Sequence, residues 1–435
     1  MLGVPVCDLS VGSRSESGTQ EVKIMTYVIF VWHGVFLAIT LAMIDFNTVF
    51  PALIADLGGS KVMFGALYAI MLGAPYLLNF LFGHYLSTQR YRRKFLILGI
   101  YLRAISFLGM AGSTYLFGER HPGVVLACFF FWILLFSISG GLAGISYSDI
   151  IGKLVKKGRR GTLFAAKQFG AGLAGMGGGL IVSRIITVQR EASPTSYAAI
   201  LLIGFVGLLI ASIPFWLIRE PASQIAEKHS PSLGSAIRRV PGILRRNPEF
   251  LRFVVVENLS SFGVMAMPFY LVFARERLSV SDAYIGRYLL FQMGGMILSN
   301  LAWGWTSKRF GSRQVVRICL GVGAAIPIVA LALSHTSADL FSITFILVGC
   351  VMSGRKVGFE PYLLDLVPPS DRPVYLGIRG TMNVLVVILP ILGGFLIQAI
   401  DYLPVFALVS AALVGGFVAL RRGEHVAGEG GAPSS

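Results

Sequence analysis

The chain has 435 residues, 55% of them hydrophobic and 13% charged, with a mean hydropathy of +0.74. Soluble domains carry about 25% charged residues, so a water-soluble enzyme or adaptor is excluded. The net charge of +16 is concentrated in the gaps between apolar stretches, which suits anionic lipids at the inner leaflet and offers no basic face to a nucleic acid.

Residues 1–23 are polar and form a cytoplasmic N-terminal segment. No apolar core precedes Ile24, so no cleavable signal peptide is expected. Twelve apolar stretches follow, at 24–50, 62–83, 95–117, 123–148, 162–187, 197–218, 251–274, 282–305, 314–334, 340–361, 374–399 and 402–420. Each can cross a bilayer core as a helix. Lipid offers the backbone no partners, so only helices or closed barrels span it, and the alternating short strands of a barrel are absent. The expected fold class is an all-α polytopic membrane protein with twelve transmembrane helices.

Basic residues fill every second gap. Arg90, Arg92, Arg93 and Lys94 follow the second span, and Lys153, Lys156, Lys157, Arg159 and Arg160 the fourth. Arg219, Lys228, Arg238, Arg239, Arg245 and Arg246 follow the sixth, Lys308, Arg309 and Arg313 the eighth, Arg372 the tenth, and Arg421 and Arg422 open the tail. The alternate gaps hold only Lys61, Arg120, Arg190, Arg275 and Arg277. Basic loops stay on the cytoplasmic side, so both termini are expected in the cytoplasm and the chain in the cell (inner) membrane.

This divides the chain into a six-helix half at 24–218, a basic cytoplasmic loop at 219–250, a second half at 251–421 and a disordered cytoplasmic tail at 422–435. In the central loop, Leu233, Ile237, Val240 and Leu244 alternate with arginine pairs. It reads either as an amphipathic piece on the inner leaflet or as a solvated basic linker.

The halves repeat. Gly83, Arg90, Arg92 and Arg93 end the second span as Gly304, Lys308, Arg309, Gly311 and Arg313 end the eighth. The segment from Gly152 to Arg160 aligns with that from Leu364 to Arg372, and seven residues on, Lys167 falls on Arg379. A duplication of six helices accounts for this, and parallel repeats are one transporter architecture.

With twelve spans in two halves, a basic central loop and a glycine-and-arginine loop after spans two and eight, the chain resembles the major facilitator superfamily over about residues 24–421. The family's loop reads Gly-x-x-x-Asp-Arg-x-Gly-Arg-Arg. Its second copy here keeps Gly304, Arg309, Gly311 and Arg313, with Lys308 at the aspartate position; the first keeps Gly83 and has Ser87 there. The resemblance implies two pseudo-symmetric halves rocking around a midplane site, with spans one, four, seven and ten lining the cavity.

These loops supply a candidate cytoplasmic gate: Gly83, Arg92, Arg93, Asp149, Gly304, Arg309, Gly311 and Arg313. Glycine lets two helices approach closely. Asp149 is the expected partner of Arg92 or Arg93, and Glu360 or Asp365 that of Arg309 or Arg313. The rival reading makes the arginines topology signals alone. On span five, Ala171, Gly175 and Gly179 recur every four residues beside Gly172, Gly177 and Gly178, the pattern of a packing face.

Ionisable groups at membrane depth face an interior or a cavity. On the cavity helices that the resemblance implies, the substrate or proton candidates are Asp45 and Asn47, Glu257 and Asn258, and Arg355, Lys356 and Glu360. Lys356 and Glu360 are four residues apart, placed to pair on one helix face. Lys167 and Arg379 either snorkel to the inner interface or enter the cavity. Arg103 is expected in a buried ion pair and His33 as a packed or hydrogen-bonded imidazole.

Cys7, Cys128, Cys319 and Cys350 are scattered and the histidines isolated, so neither a metal nor a disulfide framework is expected. No phosphate-binding Gly-Lys-Ser/Thr loop and no nucleophile–base motif occurs, so neither a cofactor nor an enzymatic reaction is expected. The sequence points to a monomeric secondary transporter moving a small solute by alternating access, with proton coupling and an anionic solute as the finer expectation. The rivals are an efflux carrier for amphipathic compounds and a non-transporting receptor or assembly factor on the same fold. Glu257 is the first expected proton carrier and Asp45 the second.

Overall fold

The computed structural model describes residues 11–87, 89–155, 160–188, 193–222, 242–367, 375, 378–379, 382–383 and 385–429. Leu233, Ile237 and Val240 of the central loop, Arg372 and the end of the tail lie outside these residues, as do the side chains of the N-terminal segment. The first half holds α1 (Val11–Ala42), α2 (Val49–Asp56), α3 (Lys61–Ser87), α4 (Arg93–Phe117), α5 (Pro122–Leu154), α6 (Arg160–Val188) and α7 (Pro194–Ser212). The second holds α8 (Pro248–Ser261), α9 (Gly263–Ala266), α10 (Tyr270–Leu278), α11 (Ala283–Phe310), α12 (Ser312–Leu333), α13 (Ala338–Leu366), α14 (Leu385–Ile400) and α15 (Tyr402–Glu429).

Several helix starts are written locally. Pro122, Pro194 and Pro248 occupy first turns, where the missing N–H costs nothing. The side chains of Ser193, Asn247 and Ser337 accept first-turn amides, as N-caps do. Among the described residues, nine helical segments are long and apolar enough to cross a membrane. Lys61–Pro75 and Val386–Ile400 are shorter apolar helices. The 28-residue α11 is not among the nine, because Arg287, Gln292, Asn300, Lys308 and Arg309 interrupt its apolar run.

Two expected spans are not continuous helices. The first breaks between α1 and α2, at residues 43–48, and the seventh between α8 and α10, around Pro268. The breaks fall at equivalent places in the two halves. Each leaves backbone groups that need side-chain partners, and those partners turn out to be candidate site residues.

Within the first half α4 packs on α5 and α7, and α1 on α6 and α7; within the second, α13 packs on α11 and α12, and α15 on α12 and α8. The halves meet along two seams, α6 against α11 and α3 against α14. Small residues make the seams possible. A Cβ at Gly286 would lie 2.4 Å from the Ser183 nitrogen, and one at Gly65 2.3 Å from the Pro390 carbonyl. The glycine-rich face of α6 is a packing surface: Cβ atoms at Gly172 and Gly175 would meet Ile297 at 2.6 Å and Met293 at 3.2 Å. Outward-facing side chains such as Phe131, Leu180 and Leu301 are 59%, 56% and 77% exposed. So large an apolar outer surface suits lipid rather than water.

Candidate functional site

Two adjoining cavity lobes lie between the halves. The lobe of ≈ 440 Å³ is lined by Asp45, Asn47, Lys167 and Gln168 of the first half and by Met293 and Met296 of α11. The lobe of ≈ 400 Å³ is lined by Glu257, Ser260, Arg355, Glu360, Arg379 and Asn383 of the second half. Tyr68, Leu72, Met352 and Lys356 line both, so the two lobes adjoin.

Asp45 sits in the break of the first span and is held by neutral donors. Its Oδ1 accepts the Asn47 amide at 3.0 Å and the Thr48 hydroxyl at 2.9 Å. Its Oδ2 accepts from Gln292 Nε2 of α11 at 3.0 Å, across the seam. Asn47 reaches the same way, with Nδ2 3.5 Å from Met352 Sδ. The carboxylate thus supplies what an interrupted helix lacks and ties the break to the opposite half.

Glu257 is used differently. Arg379 grips it, Nε donating to both carboxylate oxygens at 2.8 and 2.9 Å and Nη2 to Oε1 at 2.5 Å. Arg379 therefore does not snorkel to the interface. Arg355 donates from Nη1 to the carbonyl of Ser260 at 2.7 Å and to its hydroxyl. That carbonyl lies at the end of α8, where helical acceptors run out of partners, so Arg355 braces the second break. Asn258 is not among the cavity-lining residues; its amide bonds back to Val254 O at 2.8 Å. The expected Lys356–Glu360 pair is not formed: both side chains are exposed to the cavity, and neither is in an ion pair among the described residues.

Other expectations are also redirected. Lys167 lines the cavity and lies over the Tyr147 ring, 4.4 Å from its centroid. Arg103 has no carboxylate partner among the described residues. It stacks 4.1 Å from the Phe136 ring centroid, with Nε buried and unbonded, so the expected buried ion pair is replaced by a cation–π contact. His33 is packed between Tyr147 and Phe215, with Nδ1 3.1 Å from Ala211 O.

At the basic-loop end, Asp149 pairs with Arg92 and, at 2.6 Å, with Lys153. Arg93 instead donates to the Ile218 carbonyl at 2.6 Å. The organising group there is Glu220, which the sequence reading passed over. It accepts the backbone amides of Arg92 and Arg93 at 2.7 to 2.9 Å and Lys153 Nζ at 2.5 Å. A carboxylate on two amides at the start of α4 neutralises that helix end. Apart from Glu220, which lies just past its end, these partners belong to the first half, so this cluster pins one half together rather than clasping two.

Among the described residues, the second-half loop shows no counterpart ion pairs. Arg309 lies 5.5 Å over the Trp305 and Phe310 rings, Arg313 donates to Leu420 O at 2.7 Å, and Asp365 accepts the Ser312 hydroxyl at 2.5 Å. Gly304 does not mediate a close helix approach, since a Cβ there would meet open space. Gly83 lies within α3. Gly311 has φ of +83° and ends α11, a conformation costly for any side chain but glycine's.

At the opposite end, charges do cross between the halves. Arg275 Nη1 meets Asp56 Oδ1 at 2.7 Å and its Nη2 meets Asp282; the Tyr197 hydroxyl donates to Asp56 Oδ2 at 2.6 Å. Lys61 pairs with Glu276 at 3.0 Å and lies 4.4 Å over the Tyr402 ring. By sequence, Lys61 and Arg275 are only stray bases in base-poor gaps.

A helical bundle of two halves around a charged central cavity is the architecture of a membrane transporter. The chain belongs to the Major Facilitator Superfamily, whose profile it matches at residues 34–294 and 256–434. Among solved structures, it is similar to a bacterial homologue of the iron transporter ferroportin in an inward-facing state, at TM-score 0.68 and 14% identity, covering 93% of this chain and 98% of that one. It is also similar to the nucleoside transporter NupG, at 0.64 and 14% over 93% and 98%, and to a POT family transporter with bound 5-aminolevulinic acid, at 0.65 and 13% over 92% and 94%. No curated protein sequence matches the chain.

Proposed function

We propose that this is a secondary transporter of a small organic anion that works by alternating access. The Asp56–Arg275 and Lys61–Glu276 pairs join the halves at the end away from the basic loops, as one closed end of an alternating-access carrier requires. The observation that carries the substrate class is uncompensated base. Lys167, Arg355, Lys356 and Arg379 line the cavity against Asp45, Glu257 and Glu360. Four cations against three carboxylates leave this lining one positive charge in excess, and Glu257 is already committed to Arg379. Methionines 293, 296 and 352 give the same cavity an adaptable apolar wall, suited to a carbon skeleton.

Proton coupling is assigned here to Asp45 rather than Glu257. Protonating Glu257 would strand a guanidinium, whereas Asp45 can take up a proton without leaving a cation unpaired. Its bond to Gln292 crosses the seam, so its charge state bears on how the halves meet. In proteoliposomes screened with organic anions, cations and neutral solutes, an imposed proton gradient is expected to drive accumulation of an anion. Asp45→Asn is expected to lose that accumulation while retaining anion exchange. Wild-type accumulation by the variant sinks the Asp45 assignment, and transport of cations or neutral solutes alone sinks the anion reading.

The orientation is tested separately. Single cysteines at Ser230 and Ser435 are expected to react with an impermeant reagent only from the cytoplasmic side, as the distribution of basic loops requires. Labelling of either from outside would invert the assignment of the two cavity ends.

A further inference from the structure

Two lysines in the cavity stand apart from the other cations. Lys167 comes from α6 of the first half and Lys356 from α13 of the second. Both line the lobe that also holds Asp45. Arg379 is taken up by Glu257 and Arg355 by the α8 terminus. Among the described residues no carboxylate pairs with either lysine, although Glu360 is only one turn from Lys356. Leaving two like charges facing one space is unfavourable unless something binds between them.

Lys167 is also deliberately placed. Its stem lies across Gly34 of α1, where a Cβ would come within 2.5 Å of Lys167 Cγ and 3.1 Å of its Cε. The ring of Tyr147 supports the ammonium from the other side. Any side chain at position 34 would lift the lysine out of this slot. Gly34 is therefore a positioning residue for a charge.

We propose that Lys167 and Lys356 form a two-point clamp for a dianion, one lysine contributed by each half, and that the bound dianion is what allows the cavity to close at the basic-loop end. This rests on the anion reading above and adds the valence of the solute and the groups that hold it. With the halves pinned at the far end, rocking brings the basic-loop ends of α6 and α13 together and drives the lysines toward each other. Empty, the carrier meets like-charge repulsion on closing. Loaded, each ammonium gains a charge-assisted hydrogen bond to one end of the solute. Net return of the empty carrier is thus slower than exchange of one dianion for another.

The test uses the full-length protein with spin labels at Lys94 and Lys308, one at the basic-loop end of each half. Succinate and inorganic phosphate serve as dianion probes and lactate as the monoanion. Either dianion is expected to shorten the distance between labels and raise the melting temperature, with lactate acting far more weakly. Lys167→Gln and Lys356→Gln should each weaken dianion binding by about 10- to 100-fold, the loss expected for a hydrogen bond to a charged group. Their unliganded forms should melt at or above the wild type, which separates lost binding from lost folding. Lys356→Arg should retain most of the affinity, and Gly34→Ala should lose it with every charge in place. If both glutamine variants bind dianions as the wild type does, or lactate closes the wild type as well as succinate does, the clamp is wrong while the anion reading stands. If no anion moves the wild type, both fall.

Discussion

Arg379→Ala is expected to lower the stability of the purified protein by about 3–5 kcal/mol, the usual cost of breaking a buried ion pair from one side, and to abolish solute flux. Glu257 is 3% exposed, and among the described residues no second cation pairs with it in place of the bidentate guanidinium. Its charge would be left in the cavity wall beside the broken seventh span. Ser261 accentuates the effect, because its hydroxyl links the Glu257 carbonyl at 3.0 Å to Asn383 at 3.1 Å, so the pair, the helix end and the eleventh span are one unit. The double variant Glu257→Gln with Arg379→Gln removes both charges and should recover most of the stability without recovering transport. Thermal unfolding in detergent reads the first effect and liposome flux the second. Glu257→Gln alone was the natural coupling variant on sequence grounds. With the ion pair in view, it should depress exchange as well as accumulation, because it exposes the Arg379 charge to the solute path. A melting curve for Arg379→Ala that overlays the wild type would show the pair to be dispensable.

The fold could be read from the chain to a large extent, and the reasons are local. Alternation of apolar runs with basic gaps marks the spans, and the offset that carries Lys167 onto Arg379 points to a duplication. The packing role of Gly172 and Gly175 follows from their spacing on one helix face. The match of Asp149 with Arg92 is legible because each ends a neighbouring span. The far-end contacts are of another kind. Arg275 and Asp56 are 219 positions apart, and Lys61 and Glu276 are 215 apart. Only the docking of two halves brings them together, and no periodicity encodes that docking. The helix breaks were missed for a related reason. Hydropathy averages over a window, so residues 43–48 look like any other part of an apolar span. A signal was nonetheless present: Asp45, Asn47 and Thr48 are all side chains that compete with the helical backbone for its hydrogen bonds. Arg355 was legible as an intramembrane charge but not as the brace of α8, since the break that it serves was invisible.

Removing the far-end contacts should turn the carrier around. Arg275 holds Asp56 across the seam, Asp282 within its own half and, more weakly, the Ala52 carbonyl at 3.5 Å. Its side chain is 15% exposed and that of Asp56 28%, so solvent screens the pair only in part. A surface ion pair contributes about 0–1 kcal/mol. This one is shared among several partners, and Arg275→Ala is expected to shift the balance between the two open states by about 1–2 kcal/mol, roughly 5- to 30-fold. Adding Lys61→Ala removes the second cross-half pair and should make the state open at the far end the dominant one. Spin labels at Glu119 and Thr336, exposed positions at that end of each half, should report a longer distance, and labels at the basic-loop end a shorter one. The two changes must be reciprocal if the halves rock as bodies. Exchanging the charges, Asp56→Arg with Arg275→Asp, should restore part of the original distribution, whereas either change alone places like charges together and should open that end further. A lengthened far-end distance with no shortening at the basic-loop end would mean that the contacts hold a local flap, formed by α2 and the loop after α10, rather than the pivot of alternating access.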